Sequence, residues 1–406
     1  MNIQGIPGGV CAAKGFKAGG IHSGIKPGSE KPDLAMILCE TQCSTAAVYT
    51  QNKVKGAPIL LTQQNIQNGY ARGILVNSGN ANTCNPDGME IAQKCCNLAA
   101  QATGLDAADF IIASTGVIGQ ALPLEPFERG IPQLTSQLSA EGSGAAARAI
   151  MTTDTVPKEF AVEFTLSGKA CRLGGIGKGS GMINPNMATM LVFVTTDAAI
   201  EPALLQQALS EVTAVTFNQI CIDGDTSTND TLAVLASGLA GNPVITERNE
   251  DYTMFCAALR DVCTKISRAL AADGEGATKL LECVVSNART EETALAIAKT
   301  VIASDLFKAA MFGADANWGR VLCAIGYTPG DFSADHVSLS LKSKAGEVLV
   351  CKESAYHPYS EEDASRVLAE KEIQVLIDMH DGSKSGTAWG CDLTYDYVKI
   401  NGDYRS

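Results

Sequence analysis

The residue in this chain best suited to act as a nucleophile is Thr189. It lies in the stretch Gly177-Lys178-Gly179-Ser180-Gly181-Met182-Ile183-Asn184-Pro185-Asn186-Met187-Ala188-Thr189-Met190-Leu191, where a Gly-, Asn- and Pro-rich loop meets an apolar strand. On local composition alone, Thr189 is simply a β-branched residue that begins that strand. A catalytic role requires chemistry without histidine, because the four histidines (His22, His336, His357 and His380) are far apart in the sequence. An N-terminal threonine meets that condition. Its own α-amino group, with an ordinary pKa of about 7.7–8.0, serves as the base beside its hydroxyl. The group exists only if the Ala188–Thr189 bond is cut. Attack of the Thr189 hydroxyl on the Ala188 carbonyl, an N→O acyl shift, followed by hydrolysis would cut it. Such chemistry also needs donors for an oxyanion. Ser114-Thr115-Gly116-Val117-Ile118-Gly119, just after a predicted strand, offers the Thr115 hydroxyl and the Gly116 N–H. The bland reading of that segment is a strand-ending turn.

Other motifs fail on their own terms. The histidines have no short metal-ligand spacing. Asp223-Gly224-Asp225-Thr226-Ser227 begins like a calcium loop, but its sixth position is Thr228 and its twelfth is Val234, where glycine and glutamate are required. Gly177-Lys178 is followed by Gly179 rather than Ser or Thr, so no phosphate-binding P-loop forms. Arg172-Leu173-Gly174-Gly175-Ile176-Gly177 fits the pyrophosphate loop R-x-x-G-x-G of coenzyme A-dependent N-acetyltransferases. That loop must open a helix whose dipole meets the phosphate, and here Gly, Asn and Pro follow instead. No metal and no resident cofactor are expected. The 14 cysteines are scattered, without a C-x-x-C pair. Ile91, Cys95, Leu98 and Ala102 share one face of a predicted helix, which makes Cys95 a small core residue.

The elements that must position these groups follow from periodicity. The chain has 406 residues, 46% hydrophobic and 18% charged, enough for about two domains. Short β-rich runs alternate with amphipathic helices. Strands are predicted at 35–39, 45–49, 73–77, 110–113, 159–166, 191–195, 232–236, 281–285, 320–326, 337–341, 347–350, 373–377 and 388–398. Helices are predicted at 88–102, 125–138, 202–212, 251–271, 289–309 and 360–369, the last with Ser360 as N-cap before three acidic residues. Residues 174–188 follow neither period. The pattern is that of an α/β protein with two domains. Charge supports a division there: 1–188 holds 14 Lys/Arg against 13 Asp/Glu, and the remainder holds 17 against 31. A net charge of −13 without a basic stripe argues against nucleic acid. The absence of a long apolar run argues against a membrane. The N-terminal residues lack the pattern of a signal peptide, and a cytoplasmic location is expected.

Taken together, the motifs carry a resemblance. The 177–191 segment closely resembles the self-cleavage segment of the ornithine acetyltransferase (glutamate N-acetyltransferase, ArgJ) family. The likeness extends over essentially the whole chain. It takes in Gly15-Phe16-Lys17-Ala18-Gly19-Gly20-Ile21, Asn77-Ser78-Gly79-Asn80-Ala81-Asn82, Ser114-Thr115-Gly116 and Met151-Thr152-Thr153-Asp154-Thr155. It continues through Asp223–Asp230, Gly313-Ala314-Asp315-Ala316-Asn317-Trp318-Gly319-Arg320 and the C-terminal Asn401-Gly402-Asp403-Tyr404-Arg405-Ser406. This ordered set outweighs the local reading of Thr189.

The resemblance implies a layered α-β-β-α sandwich of the N-terminal-nucleophile-like type. It implies a precursor cut between Ala188 and Thr189 into chains 1–188 and 189–406 that stay associated, as an α2β2 heterotetramer. Thr189 would take the acetyl group of N-acetylornithine and pass it to glutamate. Thr115 and Gly116 would form the oxyanion hole. Thr152, Lys178, Thr189, Glu275, Asn401 and Ser406 would contact substrate, Lys178 facing a carboxylate and Glu275 an ammonium. The family often ends in Thr where this chain has Ser406, a change that keeps the hydroxyl. Acetyl-coenzyme A serves part of the family as a second acetyl donor. Asp223–Asp230 is expected to be a polar network around the site. Two alternatives remain open at this point: a related self-cleaving aminopeptidase or amidase, and an amino-acid-binding relative that never matures.

Overall fold

The computed structural model describes residues 2–26, 28–184 and 190–403. Two sheets organise the chain. The larger contains β1 (Gln4–Ile6), β2 (Phe16–Ile21), β3 (Leu34–Tyr49), β4 (Tyr70–Asn77), β5 (Phe110–Ser114), β6 (Lys158–Leu166), β7 (Lys169–Lys178), β8 (Leu191–Thr196) and β10 (Thr231–Ala236). Their order is β1-β6-β7-β8-β10-β3-β4-β5, with β2 also on β3. The smaller contains β9 (Ile220–Cys221), β11 (Leu280–Ala288), β12 (Ser338–Ser343), β13 (Gly346–Lys352), β14 (Ala355–Tyr356), β15 (Glu372–Asp378) and β16 (Lys384–Cys391), in the order β14-β13-β12-β15-β11-β16-β9. The expected mixed α/β architecture, helices layered on sheets, is present.

Burial explains the strand compositions. β8 and β10 are parallel neighbours, every residue of both is buried, and apart from Thr195, Thr196 and Thr231 both are apolar, as suits strands covered on two faces. One face of the larger sheet carries α4 (Ser143–Ala149). The other carries α1 (Ala57–Asn65), α2 (Gly88–Thr103) and α3 (Glu125–Ser136) at one end, and α5 (Pro202–Val215) and α6 (Glu250–Ala272) at the other. Helix α6 packs on β6 and β7 and also on β11 and β16, joining the two sheets. Asn249 caps it by accepting from the Tyr252 N–H, ahead of an acidic first turn, an arrangement that satisfies orphan donors and matches the dipole. Over the smaller sheet lie α7 (Glu291–Ala303), α8 (Asp305–Phe312), α9 (Trp318–Gly326) and α10 (Glu361–Leu368). The last helix is α11 (Tyr395–Asp403). No helix among the described residues is long and apolar enough to cross a membrane.

Several expectations need correction. The strand predicted at 320–326 is helix α9. Its buried residues Val321, Ala324 and Ile325 recur at helical spacing, and Asn317 caps it by accepting from the Arg320 N–H. The predicted strand 388–398 ends at Cys391. There Asp392 turns the chain by accepting from the Thr278 and Lys279 N–H groups, and Thr394 then caps α11 by accepting from Tyr397. The helix predicted at 289–309 is two, because Ser304 starts α8 by accepting from the Phe307 N–H. The two strands at 35–39 and 45–49 are one, β3, with an irregular register between Leu38 and Cys43.

The aperiodic segment is partly strand. Gly174–Lys178 forms the end of β7, paired on both sides by β6 and β8. A Cβ on Gly174 would meet the Gly9 carbonyl oxygen at 1.9 Å, and one on Gly177 would meet the Ile266 side chain of α6 at 2.7 Å. These glycines thus mark close approach of neighbours rather than a loop. The R-x-x-G-x-G stretch lies inside this antiparallel strand, with no helix N-terminus to receive a phosphate. Cys95 is buried as expected, and burial pushes its thiol pKa up.

The proposed division at 188/189 falls between β7 and β8. Strands from before and after it alternate in the larger sheet, with β8 and β10 seated between β7 and β3.

Candidate active site

The ends of β5, β7 and β10 converge on a cavity of about 160 Å³. Its walls include Thr115, Gly116, Thr152, Lys178, Glu275 and Asn401, six of the residues expected at the site. Ala188, Thr189 and Ser406 lie outside the described residues. The two residues that follow Thr189 in the chain, Met190 and Leu191, line the same cavity. Among the described residues, none of the four histidines does.

Thr115 and Gly116 leave β5 at a turn that other residues fix. The Thr115 N–H donates to the Asn77 carbonyl at 3.0 Å, and the Asn77 Oδ1 accepts from Gly79 and Asn80 at 3.1 and 3.0 Å. The Thr115 hydroxyl and the Gly116 N–H have no hydrogen-bond partner among the described residues. Gly116 has φ +130°, and a Cβ there would lie 2.7 Å from backbone atoms of Gly79 and Asn80. Only glycine fits such a conformation and such an approach. Two free donors on a pinned turn are what an oxyanion site requires.

The opposite wall is charged. Lys178 is buried at the end of β7, 3.9 Å from Asp154. Burial lowers its pKa, against the opposing charges of Asp154, Asp230 and Glu275. Burial likewise pushes the Asp154 carboxyl up, but the ammonium groups of Lys178 and Lys158 and the Gly179 N–H outweigh it and hold it at about 2. Asp230, buried just before β10, is raised well above the carboxylate range by desolvation. Its Oδ2 has no hydrogen-bond partner among the described residues. Glu275 follows the end of α6. The Asn401 side-chain amide of α11 donates to its Oε2 at 2.8 Å, and a Cβ on Gly181 would meet its carboxylate at 2.4 Å. The chain thus folds back so that α11 covers Glu275. Thr394 secures that return by donating to the Gly276 carbonyl at 2.7 Å.

The 223–230 segment is the polar network that the sequence suggested. Asp223 accepts from the Met182 and Ile183 N–H groups at 2.6 and 2.8 Å, and Ile183 pairs with Thr226. Asn229 donates to the Ala81 and Ser114 carbonyls and accepts from Thr83, tying this loop to the Thr115–Gly116 turn. Local sequence reasoning missed Asp154, Lys158 and Asp273, which do not line the cavity but form ion pairs behind Lys178. Lys158 and Asp273 are 115 residues apart, and no short pattern connects them.

A family model for ArgJ matches residues 17–406. The chain belongs to the ArgJ family. It is 47% identical over 394 residues to the arginine biosynthesis bifunctional protein ArgJ of Caldanaerobacter subterraneus subsp. tengcongensis, covering 97% of each chain. It is 47% identical over 406 residues to the protein of that name from Symbiobacterium thermophilum, covering all of both. A crystal structure of ArgJ from Bacillus halodurans matches with 45% identity and a TM-score of 0.50, over 53% of this chain and 100% of that chain. The ArgJ family is thus the one whose motifs the sequence carries, and its curated members are arginine-biosynthesis enzymes.

Proposed function

We propose that this ArgJ-family chain is an acetyltransferase that cuts itself between Ala188 and Thr189 and then moves the acetyl group of N2-acetylornithine to glutamate. The observation that carries the reading is the single cavity shared by Thr115, Gly116, Thr152, Lys178, Glu275, Asn401 and the residues directly following Thr189. The solved Bacillus halodurans chain, matched in full by just over half of this one, is consistent with a relative divided into two chains. Residues 189–406 are themselves just over half of the sequence.

In this reading the Thr189 hydroxyl attacks the Ala188 carbonyl, the peptide becomes an ester as the Thr189 α-amino group is released, and water hydrolyses that ester to free the hydroxyl and leave Ala188 with a carboxylate. That amine takes the hydroxyl proton as Thr189 attacks the acetyl carbonyl, while the Thr115 hydroxyl and the Gly116 N–H receive the oxyanion. The α-nitrogen of ornithine leaves with a proton, and the glutamate amine then attacks the acetyl-threonine ester. Lys178 holds the substrate α-carboxylate, and Glu275 holds the δ-ammonium of ornithine. Thr152, Asn401 and Ser406 complete the hydrogen bonding. No cofactor takes part, and acetyl-coenzyme A would enter only as an alternative acetyl donor. After scission β8 and β10 stay hydrogen-bonded between β7 and β3, which gives the two chains a reason to remain together. The assembly is an α2β2 heterotetramer acting in the cytoplasm.

The test is to incubate purified protein with N-acetylornithine, with and without glutamate. Acetylglutamate formed in step with ornithine supports the transfer. Acetate release indifferent to glutamate overturns it in favour of a hydrolase. Intact mass that shows one uncut species in active material overturns the scission.

A further inference from the structure

Four charged side chains form one buried row behind the cavity. Lys178 Nζ lies 3.9 Å from Asp154 Oδ2, Asp154 Oδ1 lies 2.8 Å from Lys158 Nζ, and that nitrogen lies 2.6 Å from Asp273 Oδ2. Their side chains are 9%, 0%, 1% and 7% exposed in that order. Stability does not account for such a row, because buried ion pairs are commonly no better than well-packed apolar residues of the same volume. The row does have another property: its two carboxylates carry the cavity wall. Asp154 accepts from the N–H groups of Thr152 at 3.1 Å and Gly179 at 2.7 Å. Asp273 accepts from the Thr155 N–H at 3.0 Å, and its backbone carbonyl accepts from the Ser180 hydroxyl at 2.6 Å. The Ser180 carbonyl in turn accepts from the Glu275 N–H at 2.9 Å. Lys158 is the only member that touches both carboxylates, and so it joins the 152–156 segment and the end of β7 to the end of α6.

We propose that Lys158 and Asp273 are positioning residues that hold Lys178 and Glu275, the two ends of the amino-acid clamp, in fixed register. This inference rests on the functional reading above. Lys178 is faced by Asp154, Lys158, Asp230 and Glu275, with Lys26 nearby. Of these, Asp154 is the strongest support of its charged form. Lys158 competes with Lys178 for Asp154 and is itself restrained by Asp273. Neutralising Asp273 therefore lets Lys158 draw on Asp154 more strongly and weakens the hold on the Lys178 proton.

The experiment uses the full-length mature enzyme and its Lys158→Met, Lys158→Arg and Asp273→Asn variants, with steady-state transfer from N-acetylornithine to glutamate followed between pH 6 and 9.5. Lys158→Met is expected to raise KM for N-acetylornithine about tenfold with kcat within about threefold, and Lys158→Arg to recover most of that loss. In Asp273→Asn the alkaline rise in KM moves to lower pH by roughly one unit. A purely structural role would change melting temperature but leave KM and its pH profile where they are, and that result overturns the proposal. So does a loss confined to kcat. If Lys158→Met does not fold, the near-isosteric Asp273→Asn decides alone, by whether the alkaline rise moves. Wild-type enzyme that transfers no acetyl defeats the functional reading and this inference together, whereas active wild type with unmoved variants defeats this inference only.

Discussion

Gly116→Ala tests the oxyanion turn where the structure constrains it most. The added Cβ would sit 2.7 Å from the Asn80 nitrogen and the Gly79 carbonyl carbon, and 2.9 Å from the Gly79 oxygen. Ordinary contact begins near 3.5 Å, so one stretch of backbone must retreat by roughly 0.8 Å. The 79–80 backbone resists, because the Asn77 Oδ1 holds both of its N–H groups. Residue 116 must move instead, or remain at φ +130°, a conformation that costs an alanine about 1–3 kcal/mol. Overpacking adds about 1–3 kcal/mol. Moving residue 116 takes its N–H off the oxyanion, and loss of one such donor lowers kcat roughly 10²–10³-fold. Thr115→Val is the matched control, since it removes a hydroxyl without adding volume to a tight contact. It should lose kcat to a similar degree with less than about 1 kcal/mol of stability. The assay is ornithine release from N-acetylornithine in the presence of glutamate, on material whose scission has been checked by mass, alongside urea unfolding. A Gly116→Ala enzyme with wild-type kcat would refute the assignment of this turn, whatever its stability.

Other substitutions probe the remaining parts. Thr189→Ala is expected to remain a single uncut chain with no transfer, as read by mass spectrometry and the same assay; a cut, active variant would remove Thr189 from the mechanism. Glu275→Gln should raise KM for N-acetylornithine about tenfold but KM for glutamate less than about threefold, because only ornithine brings a side-chain ammonium to it; equal effects on both substrates would contradict that pairing. Asp230→Asn concerns pH. Burial raises the folded pKa of Asp230 above its unfolded value, so its favourable contribution is complete at low pH and is lost as pH rises through the folded pKa. The Asn variant escapes that loss, so its melting temperature relative to wild type should climb from pH 5 to pH 8, and a flat difference would count against it. Asp154 has the opposite sign. Held at about 2, it contributes stability present above the unfolded carboxylate range and lost as pH falls through 2. Urea titrations between pH 5 and 2 should show acid sensitivity that Asp154→Asn blunts.

The fold was legible wherever one pattern acted alone. β8 and β10 read as strands because burial on both faces leaves them apolar but for β-branched threonines. Helix α6 read as a helix because one stripe of it is buried. Failures came where tertiary contacts set the conformation. Gly174–Lys178 reads as loop because its glycines suggest turns, yet they are there so that the Gly9 backbone and Ile266 can come close. The 320–326 run is apolar enough for a strand, and only the Asn317 cap and the spacing of Val321, Ala324 and Ile325 reveal a helix. The short helix α1, and helix α4 and strand β2, which are rich in Ala and Gly, gave no period strong enough to register.

The site divides along the same line. Self-cleavage needs its loop, scissile bond and nucleophile within a few consecutive residues, so that part is written locally and the 177–191 segment exposes it. Binding an amino acid needs opposite charges placed several ångströms apart, and nothing obliges those to be neighbours in sequence. Lys178 and Glu275 each look like ordinary loop residues, and it was the family resemblance, not spacing, that singled them out. Their supports are less visible still. Lys158 resembles any lysine that opens a strand, and Asp273 any residue that ends a helix, until the fold brings them within 2.6 Å at less than a tenth exposure. A buried charge must be compensated, and in this chain each compensating partner comes from a different element: the 152–156 segment, the start of β6, the end of β7 and the end of α6. The wall of the cavity is therefore a property of how β6, β7 and α6 pack. A mutation that disturbs that packing should reach substrate affinity before it reaches the chemistry at Thr189.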